Sequence, residues 1–210
     1  MRIFGFIHVA TFNDWERILH DQLGKINNSG LITVTEAVAV SLVGPHSLTL
    51  GPLGGKIHIV HRSANACEYE FPALKLLQET CCRTDCYVWY IHSKGVSKTG
   101  DLKTRIEDWR LYMEHFVIER HAFCIEALRD HDVCGVDWHR FPIPHFSGNF
   151  WWARSDYIRT LPKIGDIDGT NRGAAEFWIG MNKMVRPKIL FESGVDHYQQ
   201  RYEPCGYRSP

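Results

Sequence analysis

The run Cys86-Tyr87-Val88-Trp89-Tyr90-Ile91 constrains this chain more than any other segment. It has the length of a strand, far short of the ~20 residues that span a bilayer, and no polar residue interrupts it. Such a strand is buried on both faces, which happens in sheets covered by helices on either side. The neighbouring segments alternate accordingly. Residues 2–10, rich in Ile, Phe and Val, read as a first buried strand. Asn13 followed by Glu16 signals a helix start, and Trp15, Ile18, Leu19, Leu23 and Ile26 fall on one face of that helix. Asn27-Asn28-Ser29-Gly30 stops it with a left-handed cap. Residues 31–43 read as a β-rich stretch, Gly51-Pro52-Leu53-Gly54-Gly55 as a loop, and Lys56–His61 as a strand. Pro72 suits the first turn of a helix carrying Leu74, Leu76 and Leu77. Beyond the apolar run, Ile106, Trp109, Met113 and Phe116 mark an amphipathic helix. Strands over 132–137 and 147–153, a short helix from Ser155 to Pro162, a helix around Glu176 and a last strand Pro187–Phe191 complete the pattern.

Strands alternating with helices predict an α/β fold: one Rossmann-like, mostly parallel sheet with helices on both faces. Residues 1–210 show no repeat, linker or low-complexity segment and read as a single domain. Sheets of this kind bind ligands at the carboxyl ends of their strands, at the switch in strand order. The loops after Ile7, Ile91 and Val136 are therefore expected to converge on one cleft. With 24 basic and 24 acidic residues the chain has no net charge, so a nucleic-acid partner is not expected. No run is long and apolar enough for a membrane span. Seven cysteines, an odd number, with the first strand starting at once and no leader before it, suit the reducing cytoplasm. Cys81-Cys82 and Cys86 lack the second CxxC that structural zinc would use.

Four constellations carry chemistry. His92-Ser93-Lys94-Gly95 follows the apolar run directly. Its ammonium and its glycine, which lets backbone approach a ligand closely, make a phosphate or sugar-hydroxyl site, although the same residues also suit an ordinary polar loop. In His145-Phe146-Ser147-Gly148-Asn149-Phe150-Trp151-Trp152-Ala153, Gly148 and Asn149 interrupt an aromatic strand. An amide beside tryptophans suits a sugar, whose apolar face stacks while its hydroxyls need hydrogen-bond partners. Packing alone would explain part of the aromatic content. In Arg172-Gly173-Ala174-Ala175-Glu176-Phe177-Trp178-Ile179-Gly180, a carboxylate near a helix start is positioned as a base, with small neighbours leaving room for an acceptor. Asp196-His197-Tyr198 is the fourth, although a lone late histidine is usually structural or solvent-facing.

Read together, Tyr90 to Val96, Glu107-Asp108-Trp109-Arg110, His145 to Ala153 and Ala175 to Ile179 resemble small glycosyltransferase-like proteins of the GT-A fold, most sharply over about residues 86–180. The resemblance implies a nucleotide-sugar-binding half, 1–137, followed by an acceptor and catalytic half, 138–210. It implies a nucleotide-diphosphate sugar donor and a glycan or other hydroxyl acceptor. His8, Thr11 and Asn13, with His92, Ser93 and Lys94, would bind the donor. His145, Asn149, Trp151 and Trp178 would bind sugar or acceptor. Glu176 falls where inverting GT-A enzymes keep the catalytic carboxylate, and His197 where many place a late histidine that touches metal or diphosphate. GT-A enzymes usually carry Asp-x-Asp after the strand that here ends at Ile91; this chain has His92-Ser93-Lys94. Either Lys94 replaces part of the charge of Mn²⁺ or Mg²⁺, or a cation binds with fewer protein ligands and more waters. A literal Asp166-Ile167-Asp168 sits in a glycine-rich loop. Two other readings compete: a binding module of the same fold without catalysis, and a metal hydrolase built on Asp137, His139 and His145.

Overall fold

In the computed structural model, which describes residues 1–48, 50–51 and 53–208 and leaves out the side chain of Arg172, the apolar run is the middle of the sheet. Pro52 of the expected 51–55 loop lies outside the described residues. In chain order the elements are β1 (Arg2–Ala10), α1 (Trp15–Asn28), a single-turn α2 (Leu31–Val34), β2 (Ala37–Val43), β3 (Ile57–Ser63), α3 (Phe71–Arg83), β4 (Cys86–His92), α4 (Gly100–Glu114) and α5 (His121–Ala127). They continue with β5 (Val133–Val136), the small pair β6 (Trp138–His139) and β7 (His145–Phe146), β8 (Trp151–Arg154), α6 (Ser155–Ile158), α7 (Arg172–Phe177) and β9 (Pro187–Phe191).

The main sheet has the order β3-β2-β1-β4-β8-β5-β9. Strands β1 to β4 are mutually parallel, β9 is parallel to β5, and β8 alone runs antiparallel, between β4 and β5. The chain builds outward from β1 through β2 to β3, then returns to the other side of β1 as β4. The order therefore switches between β1 and β4. A strand of the 138–210 half, β8, is inserted within the sheet that the first half begins.

β4 explains its own composition. Trp89 and Ile91 face a cluster containing Ile18 and Leu19 of α1 and Ile106 and Met113 of α4. Val88 and Tyr90 face the other side, against Leu74 and Leu77 of α3 and Ile158 of α6. All four β4 residues are fully buried, so alternation of polar and apolar residues has no place here. Opposite Trp89 in the register stands Gly5. A Cβ there would fall 2.1 Å from the Trp89 ring. The absent side chain lets the indole lie across β1 and donate from Nε1 to Thr35 Oγ1 at 3.2 Å.

Two elements differ from expectation. Residues 31–34 form α2 rather than strand. The β-branched Ile32, Thr33 and Val34 favour extended backbone, but one turn suffices to bury Leu31, and the hydroxyls of Thr33 and Thr35 bond back to the carbonyls of Gly30 and Leu31. The strand expected over 147–153 begins only at Trp151, because residues 146–149 form a turn. Among the described residues no helix is long and apolar enough to cross a membrane.

A buried ionic knot joins the two helices on one face. Glu114, fully buried on α4, receives Arg110 Nη1 at 2.7 Å, Gln22 Nε2 at 2.9 Å and Lys25 Nζ at 2.5 Å. Gln22 Nε2 also donates to the carbonyl of His92, which ties the knot to the end of β4. Burial pushes the Glu114 carboxyl up, but the charges of Arg110 and Lys25 outweigh it and hold the group below its usual range. The stability it contributes is present above the usual glutamate range and is lost as pH falls through its own, lower value. Glu114→Gln leaves the fully buried Arg110 charge with only the longer contact to Glu107 at 3.4 Å and is expected to cost about 3 kcal/mol at neutral pH. Urea denaturation across an acid pH series should show that difference shrinking as the wild type is acidified.

Candidate functional site

β1 and β4 end side by side, with His8 paired to His92 in the register. The loops beyond them are stitched together. Ser93 N donates to the His8 carbonyl at 2.9 Å and Ala10 N donates to Ser93 Oγ at 2.8 Å. The Asn13 amide donates to the Val96 carbonyl at 2.5 Å. A cavity of about 530 Å³ opens over this seam, and its wall includes His8, His92, Ser93, Lys94, Asn149 and Glu176. Such a place, beyond the carboxyl ends of parallel strands at a switch in their order, is where open α/β sheets take ligands.

Gly148 brings the second half of the chain to this seam. Asn149 N donates to the Phe146 carbonyl at 3.0 Å, closing a four-residue turn whose third residue, Gly148, has φ +90°. That is the position where a type II turn requires glycine. The Gly148 carbonyl accepts from His92 Nε2 at 2.9 Å, so Nε2 carries the hydrogen. The Gly148 N–H donates to Glu176 Oε1 at 2.7 Å. One residue thus orients both the histidine at the end of β4 and the carboxylate of α7. Lys94 Nζ lies 3.8 Å from the centre of the Trp109 ring, a cation–π seat that places its charge beside the cavity.

The three groups expected at one hollow, the tip beyond Ile91, the Asn149 amide and the Glu176 carboxylate, do line one cavity. Others expected there are placed elsewhere. Trp151 and Trp178 are fully buried core residues, their indoles donating to Asn149 Oδ1 and to the Pro162 carbonyl, with no face left for a sugar. His145 is buried, holds the Ile143 carbonyl at 2.7 Å and packs edge-on against Phe177. Thr11 is buried where β1 and β2 end, accepting from His46 N at 3.1 Å. Asn13 serves the seam just described. His197 lies buried between Asp137 and Ser193, at 3.2 and 3.0 Å, and stacks on Trp109 at 5.0 Å. Burial raises the Asp137 carboxyl, but hydrogen bonds from His197 and Ser193 bring it below the usual range. The loop after Val136 is thereby used structurally; the start of β8 takes its place at the cavity because an antiparallel strand begins where its parallel neighbours end.

Glu176 also differs from expectation in detail. Asn171 caps α7, accepting from Gly173 N, and puts Glu176 near the end of a six-residue helix rather than in its first turn. The Gly148 N–H, rather than the start of a helix, orients this carboxylate. Glu70 was not foreseen. It lines the cavity beside Asn149, whose amide it holds at 2.7 Å, and it precedes Phe71-Pro72, where a glutamate reads as an ordinary helix start.

The acidic residues do not form a cation cradle. Among the described residues no group of three or more His, Cys, Asp or Glu side chains is placed to hold a metal ion. Asp168 accepts from Thr170 in an exposed turn. Asp137, His139 and His145 are not gathered: His139 and His145 are cross-strand neighbours, while the Asp137 carboxylate is taken up by Ser193 and His197. The seven cysteines are all free thiols.

Fold and site define a Rossmann-like α/β protein with a polar cavity at its switch point. Within that class the chain belongs to the family described as a domain of unknown function (DUF8361), which matches residues 7–166. No curated protein matches it. Among solved structures it is similar to 4-diphosphocytidyl-2C-methyl-D-erythritol synthase from Anaerococcus prevotii, with 9% identity over 97% of this chain and 94% of that one, and a TM-score of 0.49.

A methyl group at Gly148 would meet Met113 Sδ at 2.4 Å and require positive φ of a residue that avoids it. Gly148→Ala is expected to cost about 2–4 kcal/mol, from overpacking and left-handed strain together. Thermal and urea unfolding check this, and the double variant with Met113→Ala should recover the overpacking share.

Proposed function

We propose that the cavity binds a nucleotide-diphosphate sugar and that the protein transfers the sugar to a hydroxyl acceptor, a glycan or another alcohol, with Glu176 as the base. One observation carries the reading: Lys94 and Glu176, a cation and an oriented carboxylate, line the same cavity beyond β1 and β4. Glu176 accepts the proton of the acceptor hydroxyl as that oxygen forms its bond to the anomeric carbon. The bond from the anomeric carbon to the diphosphate oxygen breaks with its electron pair, and the nucleoside diphosphate leaves. Displacement of this kind inverts the anomeric centre. His8 and the loop 92–95 would hold the donor, and Lys94 would carry part of the charge that develops on the diphosphate.

The residues present do not fit Mn²⁺ or Mg²⁺ held between phosphates by protein carboxylates. Among the described residues no group of three or more His, Cys, Asp or Glu side chains is gathered at the cavity, and the loop where an acidic pair would stand contributes Lys94 instead. No step of the proposed transfer runs through a protein-held cation.

A thermal-shift series against UDP-, GDP- and dTDP-sugars tests the binding half. A donor at about a hundred times its Kd adds ~2.7 kcal/mol, and no stabilisation by any of them would sink the proposal. Glu176→Gln tests the chemistry. Turnover is expected to fall about 10²–10⁴-fold while nucleotide binding persists. If Glu176→Gln turns over like the wild type, Glu176 is not the base; if the wild type binds but never turns over, the protein is a binding module. Lys94→Ala is expected to weaken nucleoside diphosphate binding about tenfold or more, as loss of a charge-assisted contact would.

A further inference from the structure

Glu70 has the wrong partners for a helix-start residue. It stands at the N-terminus of α3, a helix of 13 residues, yet its side chain makes no capping bond there. It reaches instead across the end of the sheet. The Tyr90 hydroxyl and the Asn149 amide both donate to it at 2.7 Å, and both bonds fall on a single oxygen, Oε2. Asn149 is itself fixed by the Trp151 indole, which donates to Oδ1 at 2.7 Å. Burial, and after it the neighbouring negative charge of Glu70, push the Tyr90 phenol well above its usual value, so it stays a neutral donor. Glu70 is 8% exposed and lies on the cavity wall. No described residue donates to its Oε1, and no described cation pairs with it.

A buried carboxylate accepts and never donates, and it is costly unless its lone pairs are used. Two neutral donors lock Oε2 and leave Oε1, on a side chain of the cavity wall, without a described donor. A diphosphate offers this oxygen no hydrogen and repels it. The hydroxyls of a sugar offer hydrogens without adding charge, and bonds to an ionised acceptor are the stronger kind. We infer that Glu70 is a specificity-determining residue whose Oε1 accepts hydrogen bonds from the hydroxyl groups of the ligand's sugar. This deepens the proposed function and rests on it for the nucleotide part of the ligand. It also gives the Gly-Asn-Phe-Trp-Trp segment a purpose: Asn149 and Trp151 position Glu70 rather than touch the sugar through an aromatic face.

The test compares wild type, Glu70→Gln and Glu70→Asp by isothermal titration with a nucleotide sugar and with the matching nucleoside diphosphate. Glu70→Gln keeps the shape and can still accept from Tyr90 and Asn149. Glu70→Asp keeps the charge and withdraws it by one methylene, which serves should the first variant fold poorly. Both are expected to weaken the nucleotide sugar about tenfold or more, the loss of a charge-assisted hydrogen bond, and to leave the nucleoside diphosphate nearly unchanged. Equal losses for the two ligands, or no loss for either, would overturn the inference. Should the wild type bind no nucleotide at all, the proposed function fails. Saturation-transfer NMR with neutral methyl glycosides then decides Glu70 separately: a signal in the wild type that is lost in the variants sustains its role, and an equal signal or none in either removes it. A preference for amino sugars over neutral ones would show that Glu70 pairs with a cation, and would also overturn it.

Discussion

The two hydrogen bonds of Gly148 hold the rest of the site in place. Its carbonyl fixes His92 at the end of β4 and its N–H fixes Glu176 on α7. Without them the loop and the short helix would have no common reference. Both bonds require the chain to turn back tightly just before β8, and the turn requires a residue that accepts φ +90° while packed on Met113 and Trp109. Glycine meets both demands and other residues fail at least one.

That turn stands at the cavity because of the direction of β8. Parallel strands present their carboxyl ends at the switch point, and β1 and β4 do so with His8 and His92. β8 is antiparallel, so its beginning, not its end, arrives there. The Glu114 knot works from the opposite side: Gln22 joins the buried carboxylate to the His92 carbonyl, so α1 and α4 are fixed to the strand end from which the cavity loop departs. Rigid elements therefore position the end of β4 from two directions, as a binding site needs.

How much of this was legible in the sequence depended on how local its cause is. The burial of β4 on both faces could be read from Cys86 to Ile91, because a continuous apolar run admits few other environments. Gly148 and Asn149 could be singled out because they break an aromatic run. Strand direction leaves no periodic trace, so the loop after Val136 was expected at the cleft together with the Asn149 amide, although the antiparallel start of β8 fills that side. Trp151 and Trp178 looked like sugar platforms because composition gives residue type without burial. Glu70 was invisible for a related reason. Its partners, Tyr90 and Asn149, are distant in the chain, and only the closed sheet shows that the helix-start glutamate is not capping its helix.

The last stretch of chain reaches the cavity through Tyr198, and the magnitudes say what keeps it there. Arg201 pairs with Asp108, and Arg208 with Glu119, but both arginines are about half exposed, so solvent screens each pair and neither holds the tail by itself. The aromatic contacts are stronger candidates. Tyr202 and Tyr207 each lie 5.2 Å from Tyr112, which is fully buried, and Tyr207 is almost as deeply buried itself. Each such pair adds ~0.5–1.5 kcal/mol beyond the area it buries. His197 adds a stacked ring between Trp109 and Tyr112 and a buried link to Asp137. Trp109 in turn carries Lys94. The same indole that anchors the tail therefore seats the cavity's lysine, so the late histidine, though not on the cavity wall, acts on the site by packing against the residue that holds Lys94.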